Sequence, residues 1–188
     1  MKTALLCSYE KDEALLRLGS ALYEKKWDLL GSAGTAKFLN ENAIPCRDVS
    51  EIVGEPILGH RVVTLAREIY AGLLSRDEDQ AELERMNVPR IDLVYVTLYP
   101  LEKTIADPAS TPQDVIEKTD IGGPTLLRAA AKGRRIVLSD PAQIELVGPM
   151  LASESVDEQT IERLAAAAER RVANYVDVSA SYLEHRTV

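Results

Sequence analysis

The chain has 188 residues, a formal net charge of −8 and 46% hydrophobic residues. That length suits one domain with a substantial buried core, and an acidic chain whose Lys and Arg are thinly spread is a poor binder of nucleic acid. Because no run approaches the roughly 18 apolar residues of a membrane span and the first residues lack a signal sequence, we expect a cytoplasmic protein without a membrane partner.

The two cysteines, Cys7 and Cys46, form no Cys-x-x-Cys pair and have no His at ligand spacing. Such a pattern supports neither a metal site nor a disulfide. We therefore expect core thiols, no metal and no cofactor.

The start of the chain alternates between strand and helix. The predicted elements are a strand at 3–8, a helix within 12–26, a strand at 27–31, a turn at 32–36 and a short helix at 37–42. Leu15, Leu18 and Leu22 recur at helical spacing, and residues 3–8 are nearly all apolar, as in a strand buried on both faces. This order indicates an α/β fold with a doubly wound, mostly parallel sheet and flanking helices.

The remainder continues the pattern. Pro and Gly break up residues 45–60, which predicts at most a short strand and a loop. The later predictions are helices at 65–76 and 78–86, a strand at 91–98, a helix starting at 111–114, a helix at 122–132, a strand at 135–139 and a last helix at about 156–182. No linker or repeat interrupts residues 1–188, so we expect a single domain.

The last helix begins at a capping box, Ser155 to Glu158. Its apolar stripe consists of Ile161, Leu164, Ala168, Val172 and Tyr175. Two interpretations are open: the stripe covers the domain, or it forms a dimer contact.

Two segments near predicted strand ends, where open α/β sheets bind ligands, carry small and polar residues. Ser8 ends the first strand, and Ser32, Gly34 and Thr35 precede a helix whose free N–H groups suit a phosphate. The alternative is that this turn only caps the helix.

A third loop, Asp120 to Thr125, combines a carboxylate with two glycines and a helix start, and Lys132 follows two turns later. Asp120 is suited to proton transfer, and the backbone at Gly122 can face a ligand. Alternatively, Asp120 is an N-cap, Lys132 a solvated helix end and Tyr99 an interfacial core residue.

Together these segments resemble a known family. The motifs, in chain order, are Ser-Ala-Gly-Thr-Ala-Lys (32–37), Asp-Val-Ser-Glu-Ile (48–52), Leu-Gly-His-Arg-Val-Val-Thr-Leu (58–65), Ile-Asp-Leu-Val-Tyr-Val-Thr-Leu-Tyr-Pro (91–100) and Asp-Ile-Gly-Gly-Pro-Thr-Leu-Leu-Arg-Ala-Ala-Ala-Lys (120–132). From about Ala4 to about Leu183 the chain is similar to the methylglyoxal-synthase-like IMP cyclohydrolase domain of the bifunctional AICAR transformylase/IMP cyclohydrolase. It resembles a stand-alone, divergent member, because the transformylase half is absent.

The resemblance implies closure of formyl-AICAR to IMP with loss of water, a phosphorylated purine precursor or nucleotide as ligand, and a homodimer. By position, it implies phosphate contacts from Ser8, Ser32, Gly34 and Thr35, ligand contacts from Arg61, Thr64 and Gly122, and proton handling by Tyr99, Asp120 and Lys132.

The chain departs from the family pattern at several positions. Val63 stands where the family has a catalytic lysine, and Ala66 and Tyr70 stand where it has histidines. Thr97 and the pair Gly133-Arg134 differ as well. Because valine neither transfers a proton nor stabilises charge, two hypotheses stay open: a cyclohydrolase with a rebuilt site, or a nucleotide-binding protein without turnover.

Overall fold

A computed structural model describes residues 1–59, 61–152 and 156–185. Its centre is an all-parallel sheet with the strand order β3-β2-β1-β4-β5. The strands are β1 (Thr3–Ser8), β2 (Asp28–Gly31), β3 (Arg47–Asp48), β4 (Leu93–Thr97) and β5 (Ile136–Leu138). This arrangement confirms the predicted fold class.

Helices flank the sheet. They are α1 (Glu13–Glu24), α2 (Ala33–Glu41), α3 (Ser50–Val53), α4 (Arg67–Leu74), α5 (Gln80–Met86), α6 (Leu101–Ala106), α7 (Pro112–Glu117), α8 (Gly122–Lys132), α9 (Val147–Ala152) and α10 (Glu158–Glu184), with 3-10 turns at Asp77–Asp79 and Pro141–Leu146. The short helices α3, α6 and α9 were not predicted, because so few residues cannot display a helical repeat. Among the described residues, no helix is long and apolar enough to cross a bilayer.

The core forms where apolar strands lie side by side. Leu5 of β1 is in register with Leu30 of β2 and with Val94 of β4, and all three are fully buried. Strand order reverses at β1, which has β2 on one side and β4 on the other. In open α/β sheets such a switch point leaves a crevice at the carboxyl ends of the strands.

The apolar stripe of α10 packs against its own domain. Ile161, Leu164, Ala168 and Val172 are buried, and α10 contacts α8 and β5. Of the two interpretations of the stripe, the one in which it covers the domain is confirmed, so these side chains are not free for a dimer contact. The helix is capped by Asp157, whose side chain accepts a hydrogen bond from the N–H of Thr160, while Ser155 lies outside the described residues.

Candidate active site

A cleft of about 910 Å³ opens at the carboxyl ends of β1, β2 and β4. Most of the predicted site residues line it. They are Ser8, Ser32, Arg61, Thr64, Tyr99, Asp120 and Gly122. The sheet therefore brings the three predicted loops together at the switch point.

Hydroxyl groups hold the floor of the cleft together. Ser8 and Thr97 are in register at the ends of β1 and β4, and their hydroxyl oxygens are 2.9 Å apart. The Thr35 hydroxyl oxygen accepts a hydrogen bond of 3.1 Å from the N–H of Ser8, and Thr35 is 0% exposed. Thr35 is predicted to bind phosphate, but its side chain faces the interior and supports Ser8 instead.

Lys11, which the sequence analysis missed, lies in the turn before α1 and extends its side chain to the start of α2. The Lys11 ammonium donates to the carbonyl oxygens of Ser8 (2.5 Å) and Tyr9 (3.2 Å). It also lies beside Gly34, where an added Cβ would be 3.8 Å from the Lys11 nitrogen. Burial lowers the pKa of Lys11. Gly34 is exposed here, so Lys11 and the α2 N-terminus form a positive corner next to Ser32.

Asp120 lies at the start of α8, where it caps the helix and lines the cleft. One of its carboxylate oxygens accepts a hydrogen bond of 3.0 Å from the N–H of Gly123, as in a cap, and the residue also lines the cleft. Burial raises the pKa of Asp120, while the Gly123 and Gly122 N–H groups oppose that rise. A Cβ at Gly123 would collide with the Asp120 carboxylate and with the Leu98 side chain, so a larger residue there would displace Asp120 or Leu98.

Tyr99 lies across the cleft on the loop after β4. Its hydroxyl oxygen accepts a hydrogen bond of 3.2 Å from Thr104, which lowers the pKa of Tyr99, and Lys118 lowers it further. The Lys118 ammonium lies 5.9 Å from the centre of the Tyr99 ring. Lys118 also lines the cleft and is a second cation that sequence reasoning missed.

Two further observations limit the chemistry of the cleft. Burial raises the pKa of Cys7, a cleft-lining residue, to about 12, so its thiol is neutral and poorly nucleophilic at ordinary pH. Over the described ranges, no group of three His, Cys, Asp or Glu side chains could hold a metal ion.

Some of the residues that depart from the family pattern line the cleft and others lie outside it. Val63 and Thr97 line the cleft. Ala66 is not among the lining residues, and Tyr70 lines a different cavity together with Arg67. The substitution that most affects this cleft is therefore Val63, which presents hydrocarbon to the ligand space.

Lys132 is not brought to the cleft. It is the last residue of α8, whereas Gly122 is the first, and a rise of about 1.5 Å per residue places the two roughly 15 Å apart along the axis. The chain enters β5 soon afterwards, so Lys132 lies near the amino ends of the strands, at the opposite edge of the sheet. The prediction that it joins Asp120 and Tyr99 within one chain does not agree with this geometry.

Comparison with known proteins agrees with the fold. A family model described as the MGS-like domain matches residues 14–125. The chain belongs to the MGS-like domain family. The match includes Ser32, Tyr99 and Asp120 of the cleft, whereas Ser8 lies before its start.

The MGS-like domain also has longer relatives. It is 40% identical over 190 residues to the bifunctional purine biosynthesis protein PurH of Halalkalibacterium halodurans, covering 97% of this chain and 37% of that protein. The PurH of Thermosynechococcus vestitus is 43% identical over 195 residues, with 99% and 37% covered. The chain thus spans little more than a third of the length of these relatives.

Among solved structures, the crystal structure of ForH superposes with a TM-score of 0.79 at 29% identity. The match covers 95% of this chain and 96% of the ForH chain. A chain of nearly the same extent therefore has the same fold in that structure.

Proposed function

We propose that the protein is an IMP cyclohydrolase of purine biosynthesis, which closes formyl-AICAR to IMP with loss of water. The observation that carries this proposal is the convergence of Ser8, Ser32, Tyr99 and Asp120 on one cleft. Homology to PurH proteins supports the same pathway.

The positive corner suits the phosphate of the ligand. Lys11 and the free N–H groups of α2 provide donors to an anion, next to the Ser32 hydroxyl, which donates to the Thr35 hydroxyl oxygen when no ligand is bound. Arg61, which lines the cleft, extends the positive potential despite its 4.0 Å ion pair with Glu117. An acidic protein can bind a small anion in this way because the potential is local.

The reaction moves two protons from nitrogen to oxygen. When the carboxamide nitrogen bonds to the formyl carbon, its proton passes to the formyl oxygen and a hydroxyl adduct forms. In the second step the C–O bond breaks, the hydroxyl takes up a proton and leaves as water, and the former formamide nitrogen gives up its proton to a base. Asp120 serves as the base, because a buried carboxylate is a stronger proton acceptor. Tyr99 serves as the acid, because its oxygen already accepts from Thr104 and its own proton can be donated into the cleft.

The second candidate is a nucleotide-binding protein without turnover. Val63 favours it, because the cleft wall is apolar where the family resemblance implies a lysine. The positive corner near Ser32 does not depend on Val63, so binding and catalysis are separable in this chain.

One assay separates the two candidates. Purified protein is given formyl-AICAR, and IMP formation is followed against the uncatalysed cyclisation, with Tyr99→Phe and Asp120→Asn as matched variants. Turnover that falls about 10²-fold in both variants supports the enzyme. IMP binding by calorimetry without turnover supports the nucleotide-binding protein. Turnover gained in Val63→Lys would then show that the missing lysine accounts for the lack of activity.

A homodimer is also part of the proposal. The buried stripe of α10 does not provide its interface, but Val176 and Leu183 on the same helix are exposed at 53% and 52%. Light scattering at micromolar concentration should give twice the monomer mass of 20.7 kDa. A monomer mass would contradict this part.

A further inference from the structure

Lys118 is placed to act on Tyr99. It follows the last residue of α7 as the C-cap, and its ammonium lies 5.9 Å from the Tyr99 ring centre. Tyr9 holds the same ring edge-on, with centroids 4.8 Å apart and an interplanar angle of 73°. The ring is therefore fixed by Tyr9 and by the Thr104 hydrogen bond, with the cation on a third side.

The charge of Lys118 acts on two groups. Its ammonium lowers the pKa of Asp114, one turn earlier on α7, but within the described ranges it forms no close ion pair, whereas Arg61, another cleft-lining cation, is paired with Glu117. Lys118 is exposed, and the aromatic ring that it faces is the phenol of Tyr99.

We propose that Lys118 is a positioning residue for proton donation by Tyr99: its ammonium stabilises the phenolate that forms when the Tyr99 hydroxyl gives its proton to the departing oxygen. The inference rests on the proposed cyclohydrolase function. In the dehydration step, the C–O bond of the cyclised adduct breaks and the hydroxyl leaves as water with the phenolic proton of Tyr99. The proton of the former formamide nitrogen passes to Asp120.

Other charged and titratable groups also face Tyr99. On the cleft side these are Tyr9, Lys118 and Asp120. On the far side, a separate cavity of about 300 Å³ is lined by Tyr99 together with Glu10, Glu102, Lys103, Arg171 and Tyr175. The far side carries both signs of charge, whereas on the cleft side the Tyr99 ring faces the Lys118 ammonium.

This assignment explains how a cleft with Val63 can still handle developing negative charge. Val63 and Lys118 both line the cleft, so the ammonium at the end of α7 is available where the side chain at position 63 is only hydrocarbon. A fixed positive charge beside a proton donor favours donation, because the conjugate base is stabilised in place.

The first arm of the test measures turnover. Lys118→Ala should lower kcat for IMP formation by about tenfold or more, with a much smaller change in KM, and Lys118→Arg should recover most of the rate. Because an acid must be protonated to work, activity is lost as pH rises through its pKa. Removing Lys118 raises that pKa, so the alkaline fall in kcat should move to higher pH. Lys103→Ala, on the far side of the ring, is the matched control and should leave the profile in place.

The second arm does not need turnover. The ultraviolet absorbance of phenolate is titrated in the wild type and in Lys118→Ala, and each curve is corrected by the same protein carrying Tyr99→Phe, which isolates Tyr99. A higher Tyr99 pKa in Lys118→Ala supports the inference, and an unchanged one overturns it. If the wild type makes no IMP, the proposed function fails, and this titration still decides whether Lys118 acts on Tyr99. If the wild type makes IMP and Lys118→Ala leaves both rate and pH profile unchanged, the inference is overturned while the proposed function stands.

Discussion

The hydroxyl oxygen of Tyr175 accepts a hydrogen bond of 2.8 Å from the backbone N–H of Asp120. Tyr175 lies on α10, so the last helix is attached to the loop that carries the cleft carboxylate. Burial raises the pKa of Tyr175, which keeps the phenol neutral. The apolar packing of α10 on α8 thus also fixes the backbone from which Asp120 projects.

Tyr175→Phe should therefore affect both stability and turnover. Loss of the hydrogen bond should lower the free energy of unfolding by about 0.5–1.5 kcal/mol, since a part-buried N–H is left without this partner. The kcat should fall more than KM rises, because the loop is displaced rather than the phosphate contacts. Urea denaturation and IMP formation measure the two effects. Tyr23→Phe, at an exposed tyrosine of α1, is the control, and equal effects in both variants would contradict the argument.

The raised pKa of Asp120 predicts a pH-dependent cost in stability. The folded protein binds this proton more tightly than the unfolded chain does, so the contribution of Asp120 to stability falls as pH rises from the ordinary carboxyl value of 3.8 through the raised folded value. Asp120→Asn keeps an acceptor for the Gly123 N–H but removes the charge.

Above that window, the Asp120→Asn protein should be at least as stable as the wild type, while its turnover falls about 10²-fold. Thermal denaturation across the acidic to neutral range, beside the rate of IMP formation, checks both. Asp177→Asn, at an exposed position of α10, should change neither quantity. A large loss of stability in Asp120→Asn at neutral pH would show that the carboxylate is held by favourable contacts instead.

The sequence predicts the place of the cleft better than the direction of its side chains. The apolar runs around Leu5 and Val94 predict two strands, and parallel strands bring their carboxyl ends to the same edge of the sheet. Thr35 lies in the predicted segment, but its side chain faces the interior, where its hydroxyl oxygen accepts a hydrogen bond from the Ser8 N–H. No sequence pattern distinguishes that orientation from one facing the ligand.

The two cations missed by sequence reasoning illustrate the same limit. Lys11 lies in the turn before α1, and Lys118 lies at the end of a helix of six residues. Neither position belongs to a periodic pattern, and the direction of each side chain depends on contacts with the rest of the chain. In the folded chain the Lys11 ammonium donates to the Ser8 carbonyl oxygen, and the Lys118 ammonium lies beside the Tyr99 ring.

Lys11 should contribute to anion binding. Lys11→Met removes the charge beside Gly34 but keeps most of the side-chain volume, so affinity for IMP should fall by about tenfold, equivalent to about 1.4 kcal/mol. The dependence of affinity on salt should weaken as well. Calorimetry at low and high salt measures both. Lys37→Met, on α2 but 3.9 Å from Glu41 and exposed, is the matched control. Equal losses in the two variants would point to overall charge instead of a local contact.

The last prediction concerns Lys132, for which family resemblance and geometry give opposite expectations. By resemblance, Lys132→Ala should lower turnover about 10²-fold. By geometry it should leave kcat within about twofold, because a helix with a rise of about 1.5 Å per residue carries Lys132 to the far edge of the sheet. We expect the second result, with only a small change in stability, since Lys132 is exposed. Lys118→Ala, measured beside it, should show the larger loss of rate.

The opposite result would have a specific meaning. If Lys132→Ala lost most of its activity but unfolded at the wild-type midpoint, the ammonium would have to reach a cleft other than the one in its own chain. A second copy of the chain would then supply it. Mixing inactive Lys132→Ala with inactive Asp120→Asn would test this directly, because mixed dimers would contain one cleft with both groups intact. Recovered turnover on mixing would assign Lys132 to the partner's cleft, and no recovery would exclude such sharing.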